Sequence, residues 1–123
     1  MIFRLIIMML LTLFTLKPAF SDITFEGANN EIVILTGDIE AEEFDEMLAE
    51  IKAKKPTQMI LDSEGGNGHS ARRLAKYVND NNISTYISGV AKCRSACAII
   101  FLAGKKRLCE GVLGIHQASL PKD

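Results

Sequence analysis

The sequence predicts a mixed α/β domain, and two observations lead to this prediction. Short β-branched segments alternate along the chain with segments whose apolar residues recur at helical spacing. This order of strand, helix, strand, helix, strand and helix is typical of domains with parallel pairing of neighbouring strands. The chain has 123 residues, 48% apolar and 24% charged, a globular composition that excludes a disordered or collagen-like protein. No repeat or low-complexity linker divides it, so one domain is expected.

The first 21 residues have the pattern of a secretory signal. Arg4 supplies a positive charge, and Leu5 to Leu16 form an uncharged, mostly apolar run. This run is shorter than the ~20 residues that a membrane span needs. The small residues Ala19 and Ser21 match a signal-peptidase cleavage site. Residues 1–21 are therefore expected to be a cleaved signal peptide or a retained anchor, with the working domain, 22–123, periplasmic or secreted.

The domain after this segment is mildly acidic. Without Arg4 and Lys17, 12 basic residues remain against 15 acidic ones, a net charge of −3. No basic stripe interleaved with aromatic residues is present, so nucleic-acid binding is not expected. Contact with a membrane is expected only through an uncleaved N-terminal segment.

Periodicity predicts the individual strands and helices. Strands are expected at 31–35, 58–61, 83–87, 106–109 and 112–115, and helices at 40–54, 71–78 and 95–103. In the first helix Phe44, Met47, Leu48 and Ile51 lie on one face, and Pro56 follows its end. The helix at 95–103 has no charged residue and is expected to be buried.

A glycine-rich turn at 62–68 is the first candidate for a functional segment. Gly65, Gly66 and Gly68 lie just before a predicted helix, where backbone N–H groups can face an anion or an oxyanion. The spacing matches neither the P-loop nor the dinucleotide-binding motif. A tight turn without a ligand is the alternative interpretation.

Ser95 and His116 are the other candidates. Ser95 begins the apolar helix, beside the unpaired N–H of Ala96, which suits a nucleophile with an adjacent oxyanion donor. An ordinary helix-capping serine is the alternative. His116 ends the last predicted strand and is either a general base for a serine or a structural histidine.

The three cysteines, Cys93, Cys97 and Cys109, predict one disulfide and one odd thiol in an oxidising compartment. The sequence alone does not determine which pair forms. A Cys93–Cys97 bridge around Ser95 would hold the loop that presents the hydroxyl, and this is our hypothesis. No C-x-x-C or H-x-x-x-H spacing occurs, so neither a zinc site nor a thioredoxin-like redox centre is expected.

Three segments together resemble the ClpP-type serine proteases of the ClpP/crotonase superfamily, and most of all its small exported bacterial members. Residues 61–66 (LDSEGG) are similar to the strand-ending Ser-Pro-Gly-Gly turn of that family. Residues 91–104 (AKCRSACAIIFLAG) resemble the nucleophile loop and helix. Residues 106–117, ending in Gly-Ile-His-Gln, resemble the hairpin that delivers the catalytic histidine. The resemblance runs from about residue 31 to residue 117, in the family's order.

This resemblance implies a spiral of ββα units, incomplete at the C-terminus, and a serine hydrolase that acts on peptides or proteins. Ser95 would be the nucleophile and His116 the general base. The N–H of Gly66 or Gly65, together with that of Ala96, would form the oxyanion hole. The family also implies homo-oligomers and neither a metal nor an organic cofactor.

Two departures from the family pattern complicate this expectation. Glu64 stands where the family has a proline, and the chain stops seven residues after His116, before the family's triad acid. Asp123, Asp38, Asp62 or a partner subunit would have to supply the carboxylate. The expected function is thus an exported Ser-His peptidase, or a catalytically silent fold that is a binding remnant or a truncated fragment. Acyl-CoA chemistry is not expected, because the crotonase enzymes use carboxylates.

Overall fold

The computed structural model describes residues 21–115, in which seven strands alternate with three helices. His116 and the predicted signal segment up to residue 20 lie outside these residues. The strands are β1 (Asp22–Glu26), β2 (Ile32–Thr36), β3 (Gln58–Asp62), β4 (Ser84–Ile87), β5 (Lys92–Arg94), β6 (Arg107–Cys109) and β7 (Val112–Gly114). The helices are α1 (Phe44–Lys54), α2 (Gly68–Asp80) and α3 (Ala96–Leu102).

Five of the strands form the main sheet, in the order β1-β2-β3-β4-β6. Strand β1 runs antiparallel to β2, and all the other pairs in this sheet are parallel. Ile60 of β3 lies between Ile34 of β2 and Tyr86 of β4. The predicted mixed α/β architecture with parallel pairing is therefore confirmed.

A second, smaller layer lies beyond the carboxyl ends of the main-sheet strands. It contains the parallel pair β5-β7 and two single bridges, Ile39 with Gly66 and Ser63 with Cys93. After β2, β3 and β4 the chain enters this layer before it forms a helix, and after β6 it enters the layer as β7. The result is a spiral of strand–strand–helix units, which covers its fourth unit only as far as the strands.

The core lies between the main sheet and the helices. Leu35, Met59 and Leu61 of the sheet have no exposed surface. Each helix contributes an apolar face, with the buried residues Phe44, Leu48, Ile51, Ala71, Leu74, Val78, Ile100 and Phe101. The helical spacing that predicted α1 and α2 therefore identified the residues that pack against the sheet.

Helix α1 begins later than predicted, because Glu43 has a left-handed backbone (φ 61°) and separates it from the residues before it. Helix α2 begins directly after the glycine turn, where the side chain of Asn67 accepts a hydrogen bond from the Ser70 N–H at 2.8 Å. This cap satisfies one of the free N–H groups at the helix start.

Two further expectations are wrong in detail. Strands β6 and β7 do not form a hairpin, since β6 pairs with β4 in the main sheet and β7 pairs with β5 in the second layer. Gly111 allows this change of layer, because a Cβ there would lie 2.2 Å from the Ser88 carbonyl oxygen. Helix α3 is only partly buried, as Ile99 and Leu102 are 37% and 46% exposed. Within residues 21–115 no helix is long and apolar enough to cross a membrane.

Candidate active site

Ser95 connects β5 to α3 and is exposed to solvent. Its backbone has φ 54° and ψ −120°, a conformation that costs a non-glycine residue about 1–3 kcal/mol. The Ser95 N–H donates to the Gly114 carbonyl at 2.9 Å, which holds this conformation against β7. The side chain makes no capping hydrogen bond to α3, so the hydroxyl is not used as a helix cap.

The glycine turn after β3 lies directly against the loop that carries Ser95. A Cβ on Gly65 would lie 2.9 Å from the Ser95 Cβ and 3.1 Å from the Ala96 nitrogen, so no side chain fits there. Gly65 also has a positive φ of 109°, which favours glycine. Two of the three segments singled out in the sequence are therefore brought into contact.

The N–H groups of Gly65 and Gly66 differ in whether they donate a hydrogen bond. The Gly65 N–H donates to the Ser63 Oγ at 3.1 Å. Within residues 21–115 neither the Gly66 N–H nor the Ala96 N–H has a hydrogen-bond acceptor. Of the two glycines expected to contribute to the oxyanion hole, Gly66 is thus the one whose N–H has no acceptor among the described residues.

Ile39 holds the turn from the opposite side. The Ile39 N–H donates to the Gly65 carbonyl at 2.7 Å, and the Asn67 N–H donates to the Ile39 carbonyl at 2.6 Å. A Cβ on Gly66 would lie 2.2 Å from the Ile39 oxygen, so a larger residue would displace the turn. The turn is therefore anchored on both sides of the available N–H.

A cleft of about 260 Å³ brings these groups together. Its wall is mostly apolar, and its lining residues are Gly66, Gly68, Ser95, Ala96, Ala98, Ile99, Leu102 and Ile115. Ile115 is the residue immediately before His116, so the described chain reaches the cleft one residue short of the proposed base. No carboxylate is among the described residues that line the cleft.

The structure pairs Cys93 with Cys97, as hypothesised, with a Cα–Cα distance of 5.1 Å. Both cysteines are fully buried, and the bridge encloses the loop that carries Ser95. Cys109 is a free, exposed thiol on β6. Across residues 21–115, no three side chains of His, Cys, Asp or Glu are grouped closely enough to hold a metal ion.

Charged side chains surround the site without lining the cleft. The Glu64 carboxylate lies 3.4 Å from the Arg94 guanidinium, so the unusual acidic residue of the turn is paired. Asp62 Oδ1 accepts a hydrogen bond from the Lys92 N–H at 3.1 Å, which connects the end of β3 to the start of β5. Neither Asp62 nor Asp38 is among the cleft residues. Asp123 lies outside the described part of the chain.

Sequence reasoning missed two contributors to this arrangement. The Glu64–Arg94 ion pair joins residues 30 positions apart, and no local pattern indicates it. Ser63 is the second contributor, because the sequence patterns predict the glycine turn but assign no role to its serine. A serine two residues before a glycine is the signal that could have identified the side-chain-to-backbone turn that it forms.

The repeated unit of main-sheet strand, second-layer strand and helix defines a class, the mixed α/β spiral of the crotonase-like fold. No protein-family model matches the sequence, and no curated protein matches it either. Similarity is instead found among solved structures.

Three such structures illustrate the similarity. A methylmalonyl-CoA decarboxylase has a TM-score of 0.50 at 6% identity, with 76% of this chain and 46% of that chain covered. A Pseudomonas aeruginosa protein has a TM-score of 0.52 at 10% identity, with 77% and 54% covered. A Mycobacterium smegmatis protein assigned as an enoyl-CoA hydratase has a TM-score of 0.50 at 16% identity, with 76% and 51% covered.

The chain thus spans about half the length of these neighbours, which agrees with an incomplete spiral. At such low identity the similarity shows the fold alone. The resemblance to the ClpP/crotonase superfamily is therefore confirmed at the level of the fold, and its serine-protease part stays a prediction.

Proposed function

We propose that this chain is an exported serine hydrolase of peptide bonds, with Ser95 as nucleophile and His116 as general base. The observation that carries the proposal is the exposed, uncapped position of the Ser95 side chain and the unusual backbone conformation of this residue. Its side chain is exposed in a cleft, is not used as a helix cap and lies on a backbone conformation that must be held in place. Such local strain is typical of functional positions.

In this mechanism the Ser95 hydroxyl attacks the carbonyl carbon of the scissile bond while the His116 imidazole takes its proton. The resulting oxyanion accepts hydrogen bonds from the Gly66 and Ala96 N–H groups. Collapse of this intermediate breaks the C–N bond, and the imidazolium returns the proton to the leaving amine. Water then attacks the acyl-Ser95 ester, again with His116 as base, and releases the acid.

The two N–H donors are the electrostatic part of the proposal. Gly66 and Ala96 line one cleft with Ser95, and no group within residues 21–115 accepts a hydrogen bond from the N–H of either residue. One oxyanion-hole donor contributes roughly 3–4 kcal/mol to the transition state in well-studied proteases. Two N–H donors that have no acceptor among the described residues are ready to bind an oxyanion without prior rearrangement.

A carboxylate to orient His116 is the component that these residues do not supply to the cleft. A triad without its acid loses roughly 10⁴-fold in turnover, because the imidazole adopts the wrong tautomer. A site slowed in this way still accumulates a stoichiometric adduct with an irreversible reagent, because each serine has to react only once. A covalent probe is for that reason a better assay than substrate turnover.

The wall of the cleft favours an apolar group next to the scissile bond. Ile99 and Leu102 present partly exposed side chains to the cleft on the same helix that follows Ser95. Burial of apolar surface there contributes ~25 cal/mol per Å². We accordingly propose peptides with an aliphatic or aromatic residue on the acyl side of the scissile bond.

Thioester chemistry is the competing candidate, because the fold neighbours include a methylmalonyl-CoA decarboxylase and a protein assigned as an enoyl-CoA hydratase. The same pair of N–H groups would polarise a thioester carbonyl. No described residue that lines the cleft carries a carboxylate, whereas Ser95 does line it. The available groups therefore favour a serine nucleophile over the acid–base chemistry of a hydratase.

The test is to incubate the full chain with a fluorophosphonate probe and to measure the intact mass. We expect one adduct, absent from Ser95→Ala and strongly reduced in His116→Ala. Ser84→Ala, which removes an unrelated strand serine, is the matched control and should label normally. No adduct on a folded wild-type chain would overturn the peptidase proposal and favour the catalytically silent alternative. Cell fractionation would test export separately.

A further inference from the structure

The Ser63 hydroxyl lies at the point where the glycine turn and the nucleophile loop are joined. Ser63 is only 3% exposed and is one of few buried polar residues among those described. Its Oγ accepts the Gly65 N–H at 3.1 Å, two residues further along the chain. No other hydrogen-bond acceptor for that N–H is present within residues 21–115.

The backbone of Ser63 is bound to the nucleophile loop at the same time. The Ser63 N–H donates to the Lys92 carbonyl at 2.7 Å, and the Arg94 N–H donates to the Ser63 carbonyl at 3.0 Å. These two bonds place Ser63 opposite Cys93, whose disulfide encloses Ser95. The Ser63 side chain therefore contacts the glycine turn, while the Ser63 backbone is hydrogen-bonded to the loop that carries Ser95.

The orientation of the next two peptide groups follows from this contact. Because the Gly65 N–H points to Ser63 and the Gly65 carbonyl accepts the Ile39 N–H, the peptide groups on both sides of Gly65 are held. Gly66 lines the cleft with its N–H available, whereas Gly65 does not line it. The Ser63 hydroxyl, which also donates to the Gly65 carbonyl at 3.5 Å, and the Ile39 N–H therefore hold the two peptide groups that precede the Gly66 Cα.

We infer that Ser63 is a positioning residue for the oxyanion hole: its hydroxyl holds the Gly65 amide so that the Gly66 amide faces the cleft. The catalytic consequence of this inference rests on the proposed function, whereas the orientation of the two glycine amides does not. Ser63 touches neither the cleft nor the reacting atoms, so its effect passes through Gly65 and Gly66.

The experiment compares Ser63→Ala, Ser63→Thr and Thr85→Val in the full chain with the fluorophosphonate probe. Thr85 is a matched control because it is also buried, and its Oγ1 donates to the Phe101 carbonyl at 2.8 Å, away from the turn. We expect Ser63→Ala to label roughly 10- to 100-fold more slowly, as displacement of an oxyanion donor predicts. Ser63→Thr retains the hydroxyl and should recover most of the rate, and folded Thr85→Val should label like the wild type.

Amide hydrogen exchange of Gly65 and Gly66 by NMR provides a second measurement, which does not depend on reactivity. We expect slow exchange at Gly65 and fast exchange at Gly66 in the wild type, with Gly65 becoming fast in Ser63→Ala. Wild-type labelling with an unchanged rate in Ser63→Ala would overturn the inference and leave the proposed function standing. Fast exchange at Gly65 in the wild type would also overturn it, even if Ser63→Ala fails to fold. A wild type that does not label, but shows the expected exchange, would overturn only the proposed function.

Discussion

Arg94 precedes the proposed nucleophile and neutralises the acidic residue of the glycine turn. Its guanidinium lies 3.4 Å from the Glu64 carboxylate, and both side chains are about half exposed. An exposed pair of this kind contributes little to stability. Under the proposed mechanism the pair matters for the charge beside the oxyanion, because an unpaired Glu64 would repel that negative charge.

We therefore predict that Arg94→Gln slows probe labelling by about fivefold or less, since unit charges a few ångströms apart interact by ~1 kcal/mol in a watery environment. Glu64→Gln should label at least as fast as the wild type, and the double variant should recover the wild-type rate. High salt should reduce the defect of Arg94→Gln. Lys76→Gln, which breaks an exposed ion pair with Asp80, is the matched control. Equal slowing in the single and double variants would contradict the charge explanation.

Much of the candidate site could be predicted at this scale, because each part has a local signal. A serine before an apolar helix and glycines before another helix are visible as spacing in the sequence. The roles of Ser63 and of the Glu64–Arg94 pair cannot be predicted from local spacing, because they depend on the end of β3 lying beside β5. That pairing joins residues about 30 positions apart and was not predicted.

At the scale of an element, the bridge between Cys93 and Cys97 connects β5 to the first turn of α3, on either side of Ser95. Closing a loop of a few residues contributes about 2 kcal/mol in the chain-entropy model. We predict that Cys93→Ala/Cys97→Ala loses about this much free energy of unfolding and labels more slowly at Ser95. Chemical denaturation and the labelling rate would measure both effects. Cys109→Ala removes the exposed thiol and should change neither, whereas normal labelling of the double variant would show that the bridge does not hold the loop.

Tyr86 of β4 joins the main sheet to the connection between β6 and β7. Its hydroxyl donates to the Glu110 carboxylate at 2.8 Å, and this hydrogen bond raises the pKa of Tyr86 above its usual value of 10.0. The neutral phenol is favoured in the folded state, so the bond stabilises the fold below pH ~10 and is lost as the pH rises through the raised pKa.

We predict that ultraviolet titration shows Tyr86 ionising above the ordinary tyrosine range and that Glu110→Gln lowers its pKa. Burial also raises the pKa of Tyr77, the only other tyrosine, so Tyr86→Phe is needed to separate the two signals. A Tyr86 titration unaffected by Glu110→Gln would contradict the assignment of the shift to this hydrogen bond.

The elements themselves could be predicted where their periodicity is long enough. Helices α1 and α2 and strands β2, β3 and β4 were expected within a few residues of their observed bounds. Strand β1 was missed because Ile23 and Phe25 are its only core-facing residues, and β5 because it has three residues. The prediction of a β6–β7 hairpin was wrong, because two short strands around a glycine have the same sequence pattern whether they pair with each other or with different strands.

At the scale of the whole molecule, stability should decrease toward the end of the spiral. Strand β3 has neighbours on both sides, and Met59 and Leu61 are fully buried. Among the described residues, β6 is paired only with β4 and β7 only with β5. Leu108 and Val112 on these strands are 54% and 45% exposed.

Hydrogen exchange followed by mass spectrometry should therefore show a gradient along the chain. We predict that peptides from β6 and β7 exchange well before those from β3, because strands with few buried contacts open without global unfolding. Equal protection of the two regions in the full chain would contradict this gradient. It would mean that residues outside the described range cover the last strands.

The four parallel strands of the main sheet, β2, β3, β4 and β6, have their carboxyl ends at the same end of the molecule. The cleft lies at the carboxyl ends of the strands, where Gly68 begins α2, and the turn residues Asn81 and Asn82 lie at the far end of that helix. A 13-residue helix is ~20 Å long, which is the distance between them. A fluorophore, an affinity handle or a link to a solid support attached at Asn81 would leave the cleft open to the solution. The protein can thus be immobilised in one orientation.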